Sequence, residues 1–332
     1  MVVYGRDNNR VLFNFESGTY AQPSGASGNW IGLVTSHSPT ENENVIEVRY
    51  AGTTNRNYGQ LINGPKDYEG TLTFHPQNMR MFGFALGSVY AKTSGTAVSV
   101  AIVSEVNSDT LWAYTSGTNQ LTNFPSFTVH DSKKGPTDGQ QFVRTIKGCV
   151  VDSMSLKAAN GEACECEVSY KAQSLTLGSK TTDIVNILDQ DTTRPYIWSD
   201  TVFTLDGIVM NELNEITYSI ENNVENRHYV NGSKVAQAMV PTMRNHSIEL
   251  TMDANSAWGK TMEDYHKNGS VFNASLALTI SSTENATFAF SGCKIMEMES
   301  ASEAEGIDEF SMTIKPQTVS LIGSEATYYN FY

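Results

Sequence analysis

The second half of this chain of 332 residues repeats part of its first half without a gap. Gly148–Leu177 aligns with Gly292–Leu321 at a constant offset of 144, and seven of the 30 aligned residues are identical. Apolar residues also fall in register at every second position, a period typical of a β-strand with one buried face. These residues are Cys166, Val168 and Tyr170 in the first copy and Phe310, Met312 and Ile314 in the second. A repeated β unit of domain size favours an assembly protein or a tandem binding module over an enzyme.

The length suits two domains, and we place their boundary after Thr182, giving residues 1–182 and 183–332. With 39% apolar and 17% charged residues, each half has enough apolar side chains for a core of its own. Ser, Thr, Asn, Gly and Tyr are frequent and long helical patterns are scarce. The composition therefore predicts a mainly β fold.

Both halves have the same predicted order: a strand, a long polar loop, a strand, one short helix and then several strands. In the first half the helix follows Pro76, with Met79, Phe82, Ala85 and Leu86 as its apolar stripe. In the second half Asn255 or Ser256 caps it, and the stripe is Ala257, Trp258, Met262 and Tyr265. Each repeated segment reads as a β-hairpin, and the first hairpin turns at Ala158–Gly161.

The negative charge is concentrated in the second half. Of the net charge of -14, residues 1–182 carry 15 acidic and 14 basic side chains, whereas residues 183–332 carry 21 acidic and 8 basic ones. The halves therefore have net charges of -1 and -13. An acidic domain of this kind repels phosphates, which suits a protein that nucleic acid must pass without binding.

The residues that could bind a metal do not form a recognisable ligand set. The cysteines (Cys149, Cys164, Cys166, Cys293) are expected to be reduced and buried, and the histidines (His37, His75, His130, His228, His246, His266) lack ligand spacing. The densest acidic cluster is Glu297, Glu299, Glu303, Glu305, Asp308 and Glu309. It suits a solvated hairpin face best, although a calcium site and a surface facing DNA are alternatives. We predict no metal and no cofactor.

Catalytic motifs are also missing from the sequence. It contains no G-x-S-x-G, P-loop or G-x-G-x-x-G motif, and no catalytic residue can be nominated from spacing. The N-terminus lacks an apolar run of signal-peptide type, and no stretch approaches about 18–20 apolar residues. We therefore expect a soluble, non-enzymatic protein that folds in a cytoplasm. The five N-x-S/T sequons (at Asn231, Asn245, Asn268, Asn273 and Asn285) are attributed to chance.

Several segments, in this order, resemble the tail tube proteins of tailed viruses, specifically a duplicated two-domain type. The segments are ESGTYAQPSGASGNWIGLV, NGPKDYEGTLTFHPQNMRMFGFALGS, FVRTIKGCVVDSMSLKAANGEACECEVSYKAQS, DTTRPYIWSD and FSGCKIMEMES…IDEFSMTIKPQ. Each motif is weak alone, but the order and the duplication together are considerably more specific.

The resemblance implies two tandem β-sandwich or half-open barrel domains, each flanked by one helix. Six such domains form a ring, so three fused chains would form a pseudo-hexamer, and stacked rings would form the conduit for genome ejection. Closing a ring also removes open strand edges. Candidate contacts between rings are Met1–Gly28, Thr53–Asp67, Asn222–Ser233 and the aromatic tail Thr327–Tyr332.

The same resemblance implies partners and a location. The chain would assemble with itself and with a tape measure protein, a tail terminator, a baseplate or tip and, in some tails, a sheath. Viral DNA would pass through the lumen without specific binding, and no membrane is involved. Assembly would occur in the host cytoplasm and the product would lie in the virion tail. The acid-rich second half would give either a bore whose charge alternates with three-fold symmetry or an acidic exterior.

Two other functions are compatible with the sequence. A tandem β-sandwich binding or adhesion module could stack carbohydrate on Trp30, Trp112, Trp198, Tyr328 and Tyr329, or could bind another virion protein. A hydrolase with an unusual site is the third hypothesis, but the spacing nominates no nucleophile, base and orienting group.

Replacing Phe310 and Met312 by Asp should unfold the second domain, because a carboxylate on the buried face of a strand loses its hydration without gaining a partner. Deleting Thr327–Tyr332 should spare the fold and weaken assembly. Thermal unfolding of the monomer and light scattering of the assembling protein separate the two effects. An equal loss of thermal stability in both variants would contradict the assembly role of the tail.

Overall fold

The structure is a computed structural model and describes residues 9–16, 28–49, 60–86, 90–94, 97–103, 125–134, 141–178, 187–188, 193–253, 256–282, 284–300 and 309–325. Over these residues the fold is mainly β, with antiparallel sheets and two α-helices, α1 (Arg80–Leu86) and α2 (Ser256–Asn268). The mainly β prediction is confirmed. No helix among the described residues is both long enough and apolar enough to cross a bilayer.

The strands follow one another in a chain order that the two halves largely share. In the first half they are β1 (Asn9–Phe15), β2 (Gly28–Asn29), β3 (Leu33–Val48), β4 (Gln60–His75), β5 (Tyr90–Ser94), β6 (Ala97–Val103), β7 (Phe127–Lys134), β8 (Gln141–Ala159), β9 (Glu165–Ala172), β10 (Ser174–Gly178) and β11 (Ile187–Leu188). In the second half they are β12 (Thr201–Leu205), β13 (Ile208–Val209), β14 (Leu213–Glu221), β15 (Val224–Arg227), β16 (Ala238–Pro241), β17 (Asn245–Asp253), β18 (Phe272–Ser281), β19 (Glu284–Ser300), β20 (Glu309–Lys315) and β21 (Thr318–Glu325).

One antiparallel sheet runs through the whole molecule in the order β3-β4-β9-β8-β14-β17-β20-β19. Four of its strands come from each half. The halves meet where β8 pairs with β14, and Ser153–Ala159 lies opposite Glu215–Glu221. This central sheet is therefore continuous across the boundary between the halves.

A second sheet packs on the central sheet in each half, and one long strand belongs to both layers. In the first half β8 pairs with β7 and β10 before it enters the central sheet, and in the second half β19 pairs with β18 and β21 before it does so. Both strands bend at a glycine with positive φ, +66° at Gly148 and +67° at Gly292. Glycine is the residue that adopts this conformation at no steric cost.

The two halves agree in structural detail at the offset of 144. Gln173 N donates to Lys147 O, and Gln317 N donates to Ser291 O, both at 3.0 Å. The ladders β8–β9 and β19–β20 each contain a register shift at the same place, between Val151 and Ser153 and between Ile295 and Glu297. Conserved bulges of this kind bend strands in a defined direction.

Helix α1 lies in the core, where all seven of its residues are buried. Its Phe82 ring meets Phe288 of the second half at a centroid distance of 5.0 Å, and Phe84 meets Phe13 at 5.8 Å. The helix begins at Arg80 rather than directly after Pro76, because the Asn78 side chain accepts a hydrogen bond from the Arg80 amide. Both predicted helices are present, although the side chains of residues 254–258 lie outside the described part.

Two segments predicted as loops contain strands. Of Thr53–Asp67, the residues from 60 onward belong to β4, which pairs with β3 as a long two-stranded ribbon. Of Asn222–Ser233, Val224–Arg227 forms β15 and pairs with β16. Polar composition suggested loops, but ribbons exposed to solvent on both faces need no apolar alternation.

Candidate lumen and assembly surfaces

One face of the central sheet is polar from edge to edge. Along each strand apolar side chains point to the core and Ser, Thr, Glu or Lys point outward, as the alternating burial of β9, β14 and β17 shows. A single row across six strands illustrates this face: Glu165, Lys157, Thr217, Glu249, Thr313 and Glu297 lie side by side. The face offers short polar side chains and carboxylates but no apolar patch.

Part of the acid excess of the second half lies on this polar face. There the second half has seven carboxylates and two lysines: Glu215, Glu221, Glu249, Asp253, Glu297, Glu299, Glu309, Lys294 and Lys315. The first half has four carboxylates and two lysines: Asp67, Glu69, Glu165, Glu167, Lys157 and Lys171. The sequence had left open which surface carries the acid.

The most acidic part is a shallow concavity of about 440 Å³ lined by Glu249, Glu297 and Glu299 among others. In the described chain no Lys ammonium or Arg guanidinium group lies within ion-pair distance of these three carboxylates. Glu215, by contrast, pairs with Lys157 at 2.9 Å. Among the described residues, no three His, Cys, Asp or Glu side chains lie close enough to hold a metal. Glu303, Glu305 and Asp308 of the predicted cluster lie outside the described residues.

The central sheet ends in two free edges. Over the described residues β3 pairs only with β4, and Lys294–Ser300 of β19 pairs only with β20. Thr40, Glu41 and Asn42 on the first edge and Met296 on the second are exposed. Open strand edges present unpaired backbone donors and acceptors, so they invite pairing with another chain.

The β3–β4 ribbon extends past the end of β9 and carries exposed apolar side chains on both strands. These are Val45, Ile46, Leu61 and Ile62, each 44–61% exposed. The base of the ribbon is held by the second half, because His228 Nε2 and Asn226 Nδ2 hydrogen-bond to Asp67 Oδ1 at 2.9 and 2.8 Å. Lys66 N also donates to Lys234 O at 2.7 Å.

Two of the five aromatic residues proposed as a sugar platform, Trp30 and Trp198, lie among the described residues. Trp30 is half-buried and its indole N–H donates to Gln77 Oε1 at 2.7 Å, so its exposure was wrongly predicted. Trp198 is 46% exposed at the rim of a cleft of about 270 Å³ beside Val202, Val209 and Met210. Trp112, Tyr328 and Tyr329 lie outside the described residues.

All six histidines make hydrogen bonds within the protein. His37 Nε2 lies 2.7 Å from Tyr170 Oη, and its Nδ1 lies 3.4 Å from Asp131 Oδ2. An acid–histidine–hydroxyl chain can activate a nucleophile, but these side chains are buried beneath the sheet, where no substrate reaches them. The others bond as follows: His75 to Cys164 O, His130 to Asn14, His228 to Asp67, His246 to Tyr218 Oη and His266 to Ile295 O.

The four cysteines are buried and free. Burial raises the pKa of Cys164 to about 11 and that of Cys293 to about 12, and it also raises the pKa of Cys149 and Cys166. Protonated, buried thiols are small apolar side chains rather than nucleophiles or metal ligands.

Comparison with known proteins gives the family. The model of the phage tail tube protein family matches residues 7–321, nearly the whole chain. The chain belongs to the phage tail tube protein family. No curated protein matches it. Membership gives the chain a structural role in the tail of a virion and agrees with the mainly β fold.

Sequence reasoning found the acidic hairpin but missed most of the polar face. Glu215, Glu221 and Glu249 were not singled out, since the acids of β14 and β17 are only two to a strand and form one surface only through strand pairing. The signal was present in SIELTM and NEITYSI, where polar residues alternate with apolar ones.

We expect stability to fall between about pH 6.5 and pH 4 because of His246. Burial, helped by the Arg244 charge, lowers its pKa to about 4, below the usual value of about 6.5 in an unfolded chain. Between these pH values the unfolded chain binds a proton that the folded chain does not bind. The free energy of unfolding therefore decreases as the pH falls, by up to about 3 kcal/mol.

His246→Gln retains a polar partner for Tyr218 and should remove that part of the slope. Urea unfolding at pH 8, 6, 5 and 4 measures it, and pH 8 is the control because the imidazole is neutral there in both states. An unchanged slope in the variant would contradict the assignment.

Proposed function

We propose that three copies of this chain close into a ring, that rings stack into the tail tube, and that the tube conducts the genome during ejection. The observation that supports this most is the symmetry of the central sheet. Its free edges, β3 and β19, are the counterparts of β14 and β8, which are joined within the chain. A second copy can therefore continue the sheet as the second half continues the first.

The pairing pattern supports two domains of one ancestry, residues 1–182 and 183–332. The strands β3, β4, β9 and β8 of the first half have the order of β14, β17, β20 and β19 in the second. One chain then supplies two sixths of a ring, which makes three chains a pseudo-hexamer.

The polar face of the central sheet is the natural lining of the bore, because its other face is the core of both domains. Eight strands from each of three chains make 24 strands. With strands about 4.8 Å apart and tilted by about 40°, such a barrel is roughly 45–50 Å across between backbones. After the side chains are added, that width accommodates a DNA duplex.

The charge of this face suits transport without binding. Carboxylates repel phosphates, and Ser and Thr hydroxyls keep the wall hydrated. Because the second half carries seven of the eleven carboxylates, the bore would alternate between strongly and weakly acidic sectors with three-fold symmetry.

Contacts between rings fall to the elements that project beyond the sheet. The β3–β4 ribbon ends at the opposite end of the sheet from the β8–β9 turn, so its exposed apolar residues point toward a neighbouring ring. The predicted arm Met1–Gly28 is wrong over Asn9–Phe15, which forms β1, pairs with β7 and buries Phe13 in the core. Residues 1–8, 17–27 and Thr327–Tyr332, which lie outside the described chain, are proposed as further arms. The proposed partners are a tape measure, a terminator and a baseplate or tip, and assembly is placed in the host cytoplasm.

Negative-stain electron microscopy of the concentrated, untagged protein, with mass from light scattering, tests the ring. We expect hollow tubes or rings of about 109 kDa, three times the chain mass of 36.4 kDa. A monomer at every concentration, with no ring on any tail assembly that it joins, would contradict the proposal.

Reversing charge on the bore should make the tube retain DNA. We expect Glu249→Lys tubes to bind short duplex DNA at low salt and to release it as salt rises, because each added lysine exchanges counterions with phosphate. Glu263→Lys on the exposed face of α2 changes the net charge equally and serves as the control. Equal binding by both variants would place Glu249 outside the bore.

A further inference from the structure

We propose that a second copy of this chain pairs its β3 edge with the β19 edge of the first, antiparallel, with Thr40 opposite Glu299 and Asn42 opposite Glu297. The inference rests on the ring proposed above and specifies its seam. It follows from treating the β8–β14 junction inside the chain as the template for the junction between chains.

The first strand of the template has a direct counterpart. The offset of 144 relates β8 to β19, and both have their register shift at the same place relative to the next strand. Met154 thus corresponds to Met298, and Ser155 corresponds to Glu299.

The counterpart of β14 is found by following partners across the sheet. Tyr170 and Ile314 are related by the offset of 144, and they face Gly70 and Ile248, respectively. Gly70 faces Pro39, and Ile248 faces Tyr218. Pro39 therefore corresponds to Tyr218, an offset of 179.

This second offset has an independent check. The ladder β3–β4 contains a register shift between Val34 and Ser36, and the ladder β14–β17 contains one between Leu213 and Glu215. These positions also differ by 179. The correspondence therefore holds for the irregularities of the strands as well as for their regular pairing.

Applying both offsets to the pairs inside the chain gives the seam. Ser153 opposite Glu221 becomes Glu297 opposite Asn42, and Ser155 opposite Ser219 becomes Glu299 opposite Thr40. Between them, Met154 opposite Ile220 becomes Met298 opposite Glu41. Pro39 has no N–H, so the pairing is expected to weaken beyond Thr40.

The side chains of the two edges are complementary in this register. The β19 edge offers carboxylates at Glu297 and Glu299, and the β3 edge offers an amide and a hydroxyl that can donate to them. Glu41, which lies between Thr40 and Asn42, already forms an ion pair in which its Oε1 is 2.7 Å from Lys66 Nζ. No two carboxylates face each other directly, an arrangement that would be destabilising.

The register also covers exposed apolar surface. Inside the chain, Asp152 accepts hydrogen bonds from Asn222 N and Val224 N. Its counterpart is Met296, 51% exposed, and the counterparts of residues 222 and 224 are residues 43 and 45. The seam thus brings Met296 beside Val45, which is 49% exposed. An apolar contact between chains then takes the place that the hydrogen bonds of Asp152 have within the chain, and it covers exposed apolar surface.

A disulfide between Thr40→Cys and Glu299→Cys tests the register. Residues directly opposite in an antiparallel pair have Cα atoms about 4.5–5.5 Å apart, which a disulfide spans. We expect mild oxidation of the assembled double variant to give covalent species that end at three chains on a non-reducing gel, since a closed ring has no fourth member. The native cysteines are buried and should not contribute.

The matched control combines Thr40→Cys with Glu249→Cys, which lies on the same face two strands inside the edge. We expect at least about tenfold less crosslinking, because that separation exceeds the reach of a disulfide. Rings or tubes that form without the 40–299 crosslink, or that crosslink equally in the control, overturn the register and leave the proposed ring standing. Failure of the double variant and the natural chain alike to form any species of three chains overturns both.

Discussion

Backbone pairing between β8 and β14 is the interaction on which the rest of this structure depends. It joins two four-stranded sheets into one, places the apolar faces of both halves on the same side, and leaves the polar side chains as one uninterrupted face. Every second residue pair of this antiparallel junction exchanges backbone hydrogen bonds, which are directional and fix the register. Buried side chains such as Leu156 and Tyr218 supply the free energy. Helix α1 reinforces the junction because Phe82 packs on Phe288 of the other half.

The same pairing leaves the sheet with two free edges. A sheet built from two equivalent halves has one edge of each kind left over, and no element within the described residues covers them. Barrels avoid this by closing on themselves. Eight strands close only into a barrel that side chains fill, so the bore that we propose needs strands from further copies. The family to which the chain belongs is that of tail tube proteins.

The sequence predicted the fold to the extent that local patterns carried it. The alternation in SIELTM and in ECEVSYK placed β17 and β9 well, and both helices were found from their apolar stripes. It failed at residues 60–67, where polar composition suggested a loop but pairing with β3 makes a ribbon. It also failed at Trp30, because the partner that half-buries the indole, Gln77, is remote in sequence.

By itself, the sequence determined the class of fold, the repeat and the unequal charge of the halves, because strand alternation, the offset of 144 and the count of acids are local or additive properties. Only the tertiary structure decided which of these acids share the polar face of the sheet and which strands remain open. Both depend on the order in which strands pair, and pairing joins residues such as Thr217 and Glu249 that no local pattern connects. The polar face is a property of neighbouring strands, so it emerges only when the sheet is assembled.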